Sequence, residues 1–339
     1  MTYSEFTHER PLYGYELTPP NPQWPNGAKI AVTFVIEYTE GAESSTEHGD
    51  ASSEALFNEL VIDVSRQARD DMVESEFEYG PRAGLPRLIK MFKKYNMKGT
   101  FNIVTRALER APYWQKVIRE SGWELSCAGA RWLDFMHVKP EEEDKQLREA
   151  IQSVVEIRGG DKAAPMGLCV GRKSNYSQRL YAQACEDLKV PMLYSADSFA
   201  DEIPFWITSP LATSTSDPGL LIVPSSLDTS DFRFNVPGQG WGTGADYLQY
   251  LKDTFDYMKS EGEAGMGRNM VVQLHPRIIG HGSRAYYLEQ FLKYVSGQSD
   301  VWVASRAEVA QHWRATFPYE PTKAQDKVKI PRNVNPFQS

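Results

Sequence analysis

Short runs of β-branched and aromatic residues alternate along this chain with stretches whose apolar positions recur every three or four residues. The run Lys29–Tyr38 (KIAVTFVIEY) is apolar on both faces, as a fully buried strand must be. Thr100–Val104, Trp123–Ser126, Met166–Val170, Met192–Tyr194, Leu220–Val223, Met270–Leu274 and Val301–Val303 read as further strands. Between them, Gly84–Asn96 has helical spacing at Leu85, Leu88, Ile89 and Phe92, and Tyr113–Ser121 follows the same period. Pro140–Ile157 predicts an amphipathic helix whose opening carboxylates, Glu141 to Asp144, suit the positive end of the helix dipole. Helices are also predicted at Ser177–Leu188, Ala245–Ser260, Ala285–Val295 and Arg306–Arg314. Seven or eight strands alternating with helices predict a parallel α/β architecture, closed or nearly closed into a barrel.

The ends do not share this rhythm. Residues 1–27 are rich in proline and tyrosine, and the segment from Pro19 to Gly27 forms no regular element. They read as an arm that wraps the domain or a neighbouring subunit, or as a loose tail. Residues 28–316 form the barrel, and residues 317–339, with prolines set among charges, form a C-terminal tail.

Composition narrows the function classes. A net charge of −8 argues against binding nucleic acid through its phosphate backbone. No apolar run reaches the roughly 18–20 residues of a membrane span. Met1–Phe6 has neither a basic nor an apolar signal-like region, so no secretory signal is expected. Three cysteines, Cys127, Cys169 and Cys185, make an odd set without CxxC spacing, which points to a reducing, cytoplasmic setting. The six histidines form no HxH, HxxxH or HExxH pair, so no metal is expected. The chain has no glycine-rich phosphate cradle, so no nucleotide cofactor is expected either.

In α/β barrels the residues just past the strand ends line the active site. Here those positions hold Glu37, Glu40 and Glu43 after the first strand, Arg131 and Trp132 after the third, and Arg172 after the fourth. Asp197 and Phe199 follow the fifth, Asp228 the sixth, and His275 with Arg277 the seventh. Carboxylates, arginines and an imidazole at one mouth suit acid–base work on a polar small molecule. The stretch Gln239–Gly244, with Trp241, is placed to act as a lid or as a plain connection.

These segments resemble the polysaccharide deacetylase (NodB-like, carbohydrate esterase family 4) superfamily, in its branch of allantoinase-like and cyclic-imide-hydrolase proteins. The likeness is carried by Trp24–Val32, Phe34–Glu43, Glu78–Gly84, Gly122–Leu125, Arg131-Trp132, Gly171-Arg172, Asp197-Ser198, Leu227–Phe234 and Leu274–Gly280, spread over roughly residues 10 to 316. The resemblance implies a distorted (β/α) barrel of about seven strands and a cytosolic homo-oligomer, dimer or tetramer. Two motifs depart from the branch. Its first motif reads F-V-L-N-Y-E-E-G-G-E; here Glu37 replaces the asparagine and Thr39 the first glutamate. Its second reads S-H-G-Y-R-W; here Cys127–Trp132 has Ala128 for the histidine and Ala130 for the tyrosine. In the metal-dependent deacetylases that stretch supplies two histidine ligands.

The residues that remain define an expectation. Arg172 binds a carbonyl or carboxylate oxygen through its planar fork. Glu37 or Glu40 and His275 move protons. Glu37, buried in its strand, has a raised pKa unless an arginine such as Arg131 or Arg172 pairs with it. Arg131, Trp132, Asp197, Phe199, Asp228 and Trp241 contact substrate in a pocket widened by the two alanines, with Phe205 as a further apolar wall. The expected activity is metal-independent hydrolysis of a C–N bond in a cyclic amide, imide or ureide. Two alternatives stand beside it: a biosynthetic enzyme using the same protons for a cyclisation, isomerisation or elimination, and a non-catalytic paralogue.

Overall fold

The computed structural model describes residues 3–6, 12–56, 58–60, 68–213, 218–236, 240–321 and 324. Nine strands lie among them: β1 Ile30–Tyr38, β2 Thr100–Ile103, β3 Glu124–Cys127, β4 Met166–Leu168, β5 Met192–Ser195, β6 Phe205–Ile207, β7 Leu220–Ile222, β8 Arg268–Leu274 and β9 Val301–Val303. They form one sheet in the order β6-β7-β5-β4-β3-β2-β1-β8, with β9 against the first half of β1. Every pairing is parallel except β6 with β7. The sheet curls as a distorted barrel but stays open, because no pairing among the described residues joins β6 to β8.

The helices are α1 Asp71–Tyr79, α2 Leu85–Lys94, α3 Thr105–Glu109, α4 Pro112–Glu120, α5 Pro140–Ile157, α6 Ser177–Leu188, α7 Gly244–Glu263, α8 Pro276–Ile279, α9 Gly282–Ser296 and α10 Arg306–Thr316. The strand count therefore exceeds by one the eight runs read as strands in the sequence. The extra strand, β6, is three residues long and antiparallel, too short for a periodic signal. Helix α1 also escapes the pattern: its sequence DMVESEFEY buries only Val73 and Phe77. Between α1 and α2 the chain widens into a π-turn, Gly80–Gly84. A Cβ on Gly84 would stand 1.9 Å from the Pro276 carbonyl oxygen, so this turn meets α8 backbone to backbone.

Strand β1 sorts its residues by parity, as the two-residue repeat of a strand requires. Ile30, Val32, Phe34, Ile36 and Tyr38 join the large apolar core beneath the helices. Phe34 meets Phe92 of α2 edge-on at 5.2 Å between ring centres. The opposite face sets Thr33 and Glu37 among the apolar Ala31 and Val35: the Thr33 hydroxyl donates to Asn269 of β8 at 2.9 Å, and Glu37 meets Asn102 of β2. The hydrogen-bonded side chains of this strand thus face the barrel interior.

The described part of the N-terminal arm packs on this same domain. The Tyr15 hydroxyl donates to the Pro204 carbonyl at 2.7 Å, and the Trp24 indole donates to the Arg268 carbonyl at 3.1 Å. A cavity of about 1140 Å³ opens in the seam, lined by the arm, by Phe205 and Ile207 of β6, by the segment after β7 and by β8. At the other terminus, the Trp206 indole donates to the Phe317 carbonyl at 2.7 Å. Most of the expected tail lies outside the described residues. No described helix is long and apolar enough to cross a membrane.

Candidate active site

The C-terminal ends of β1, β2 and β8 converge. Glu37 stands directly opposite Asn102 in register, and Oε2 of Glu37 accepts from the Asn102 amide at 2.7 Å. Its Oε1 accepts from the Gln273 amide at 3.0 Å. Asn102 is itself held, donating to the Cys169 carbonyl at 3.0 Å and accepting from the Ser126 hydroxyl at 2.8 Å. Two side-chain amides therefore fix the carboxylate, and neither Arg131 nor Arg172 does. The buried cation whose charge reaches Glu37 is Arg306, at the start of α10, which donates to the Ser225 hydroxyl at 2.7 Å. The expected arginine partners were the wrong ones because charge enters from the floor of the barrel rather than from its mouth.

His275 follows β8 directly. Ile36 pairs with Leu274, so His275 is next in register to Glu37 across the β1–β8 ladder. Asp231, fully buried at the start of the 3₁₀ turn Asp231–Asn235, grips this histidine twice. Its Oδ2 accepts the His275 peptide N–H at 2.7 Å, and its Oδ1 lies 2.7 Å from Nδ1 of the ring. Burial alone disfavours the imidazolium, but the charge and hydrogen bond of Asp231 outweigh it, and the pKa of His275 rises above the ordinary histidine value. Trp241 buttresses this turn: its indole donates to the Ser230 carbonyl at 3.2 Å, and the Arg233 guanidinium lies over its ring at 4.5 Å. Gln239 of the expected lid lies outside the described residues.

Glu40 takes a different place from the one expected. Its carboxylate accepts from the peptide N–H groups of Thr39 and Arg277, each at 3.1 Å. Burial pushes its pKa up, against the opposing charge of Arg277. It lines a small pocket of about 250 Å³ with Tyr38, Glu43 and Phe77, outside the Glu37–His275 cluster. Burial also pushes Glu43 up, to about 7. Arg277 is fully buried, with all three guanidinium nitrogens lacking a hydrogen-bond partner, and its charge sits 4.5 Å over the Phe77 ring.

Other expected contacts are occupied with the protein itself. Arg172 donates to the Trp132 carbonyl at 2.9 Å, stacks on the Trp132 ring at 4.5 Å and lies 3.6 Å from Glu54. Arg131 is tied to Asp50 at 3.2 Å and to the Glu43 carbonyl at 3.1 Å. Asp197 braces a loop by accepting from the peptide N–H groups of Val170 and Gly171, at 3.1 and 2.8 Å. Phe199, Phe205 and Asp228 belong to the seam cavity, where neither Glu37 nor His275 contributes to the lining. In each case a neighbour remote in sequence, or a turn peptide, satisfies the polar group that strand-end position alone had offered to substrate.

Four functional groups went unassigned in the sequence: Asp231, Asn102, Gln273 and Arg306. Asp231 lies inside the segment Leu227–Phe234 that carries the family likeness, and it is the one that a search for a carboxylate partner to His275 had some chance of finding.

A polysaccharide deacetylase family model matches residues 65–185. A Schizosaccharomyces pombe protein carrying the polysaccharide deacetylase name is 33% identical over 302 residues, which span 88% of this chain and 94% of that protein. Among solved structures, PuuE allantoinase superposes with a TM-score of 0.84 at 34% identity, over 93% of this chain and all of that one. A Pseudomonas aeruginosa PAO1 protein of polysaccharide deacetylase type superposes at 0.83 with 35% identity, over 92% of this chain and 99% of its own. The chain belongs to the polysaccharide deacetylase family.

The metal of that family does not fit the donors present. Ala128 and Ala130 carry no ligand atom, and the Cys127 thiol is buried in the core and pushed up to about 12 by that burial. Among the described residues no three His, Cys, Asp or Glu side chains converge to hold an ion.

Proposed function

We propose that this member of the polysaccharide deacetylase family hydrolyses a C–N bond in a cyclic amide, imide or ureide, using side-chain acid and base groups. The observation that carries this reading is the buried His275–Asp231 pair, 2.7 Å apart, next to Glu37 in the sheet register. The likeness at 34% identity to PuuE allantoinase supports a cyclic ureide or a close relative as the substrate class.

The chemistry follows from the geometry. With Asp231 on Nδ1, the proton that His275 exchanges is the one on Nε2. The charge and hydrogen bond of Asp231 raise the pKa and favour the protonated ring, so His275 serves as the general acid. Glu37, an acceptor fixed by two amides, serves as the base. A water loses its proton to Glu37 as its oxygen bonds to the ring carbonyl carbon. The tetrahedral adduct then breaks its C–N bond while His275 protonates the departing nitrogen. One water is consumed, and the products are a carboxylic acid and a free amine, amide or urea nitrogen. Proton return from Glu37 to His275 restores the starting state.

The test is turnover of hydantoin, glutarimide and allantoin by chelator-treated protein in ¹⁸O-labelled water. The expected result is ring opening of at least one, with label in the new carboxylate and loss of activity in His275→Ala. Activity abolished by chelation and restored by zinc overturns the reading. Product without label points to the rearrangement alternative, and no turnover of any substrate points to the non-catalytic one.

A further inference from the structure

Outside the barrel, the pocket of about 250 Å³ beside Glu40 is lined by five carboxylates (Glu40, Glu43, Glu47, Glu74 and Glu78) and two guanidinium groups (Arg69 and Arg110). Most of these charges are already answered. Arg69 pairs with Glu74 at 2.8 Å and with Glu47 at 3.1 Å, and Arg110 pairs with Glu47 at 3.0 Å. Glu78 pairs with Arg82 at the exposed rim, at 2.9 Å. Glu40 is held by two peptide N–H groups and offset from behind by Arg277. Glu43 is different: it is buried, it accepts only from peptide N–H groups (Gly41 and its own), and among the described residues no cationic side chain forms an ion pair with it.

A second group points the same way. Tyr38 lines this pocket, is fully buried, and its hydroxyl has no hydrogen-bond partner. A buried hydroxyl left unpaired is costly, and native structures rarely leave one so without a reason. Its parity on β1 puts it on the helix side of the sheet, opposite to Glu37, so the hydrolytic cluster does not use it. Phe77 supplies an aromatic wall. One carboxylate without a cationic partner and one unpaired hydroxyl within a volume of this size match a small ligand head that bears one positive charge and several N–H donors.

We propose that this pocket is a binding site for an alkylguanidinium or alkylammonium ion, with Glu43 as the counter-charge and the Tyr38 hydroxyl as a hydrogen-bond acceptor. None of Glu37, Asp231 and His275 lines this pocket, and binding in it does not require their activity. Nothing covalent occurs in it.

The test is calorimetric titration of the intact protein with butylguanidinium and with butylurea, its neutral counterpart of the same shape. Butylguanidinium is expected to bind at least tenfold more tightly than butylurea. Glu43→Gln should reduce that preference at least fivefold, and Tyr38→Phe should weaken butylguanidinium severalfold. His275→Ala should leave this binding intact, so failure of the hydrolytic reading and failure of this one are separable. Equal affinity for the two probes overturns the proposal even if a variant does not fold. So does a cation preference that survives both Glu43→Gln and Tyr38→Phe in folded protein, or no binding at millimolar concentration.

Discussion

Glu37 and Glu40 lie three residues apart on one segment and live in different worlds. Glu37 faces the barrel interior, where the amides of Asn102 and Gln273 donate to both its oxygens. Glu40 lies past the strand end, where two peptide N–H groups hold it against the helix layer and burial raises its pKa. The interior is a polar column with exchangeable protons at its top. The outer layer is an apolar core with a few carboxylates pressed into its edge. The difference teaches that an acidic residue near a strand end gains a chemical role from what faces it across the sheet, since proton transfer needs a positioned partner more than it needs a charge.

Experiments can break this contrast in order of size. The interior should dominate activity. His275→Ala and Glu37→Gln should each lower kcat by about 10²–10⁴-fold, the usual worth of a positioned acid or base. Steady-state turnover of the ring-opening substrate measures this, and losses under tenfold would erase the contrast. Asp231→Asn should sharpen it further, because the acceptor that raises the His275 pKa is weakened. The alkaline limb of the pH–rate profile should then move to lower pH, since a general acid is lost as pH rises through its pKa.

The interior should also show what its buried charge contributes to stability. Arg306→Met removes the cation beneath Glu37, and stripping one partner from a buried charge set costs about 3–5 kcal/mol. Denaturant unfolding should report a loss of that order. On the outer side, Gly84→Ala drives a methyl group onto the Pro276 carbonyl, 1.9 Å away, and should cost about 3 kcal/mol by overpacking. Activity should fall with it only as far as α8 carries His275 out of place.

The smallest effect belongs to Glu43. Its folded pKa stands at about 7 against an ordinary 4.5, so between those pH values the folded state holds a proton that the unfolded state has lost. Its favourable contribution is therefore complete below pH 4.5 and disappears as pH rises through 7. Glu43→Gln should stabilise the protein at pH 8 by up to about 3 kcal/mol and leave stability at pH 4 nearly unchanged. Melting curves at the two pH values check it, and a loss of stability at pH 8 would show that Glu43 is paired there after all.

How much was legible before the fold is itself instructive. Eight of the nine strands were readable, because runs such as Lys29–Tyr38 and Met270–Leu274 are apolar over lengths that only buried strands need. β6 was not, since Phe205–Ile207 is held by one antiparallel partner and carries no period of its own. Glu37 and His275 were readable as strand-end residues. Their partners were not: Asp231 reaches His275 across 44 positions of sequence, and Gln273 reaches Glu37 across 236. Arg172 and Arg131 misled for the same reason. Glu54 and Asp50, which engage them, lie in an irregular loop whose path no periodicity reveals.

The chain's own order of residues determined the alternation of strands and helices, the parity of β1 and the absence of paired imidazoles. Each of these is local, fixed by the two- and 3.6-residue repeats of the backbone or by composition alone. Only the tertiary structure decided which carboxylate holds which proton. A hydrogen bond worth a catalytic role requires atoms within about 3 Å, and chain segments tens to hundreds of residues apart come that close only after the sheet has curled.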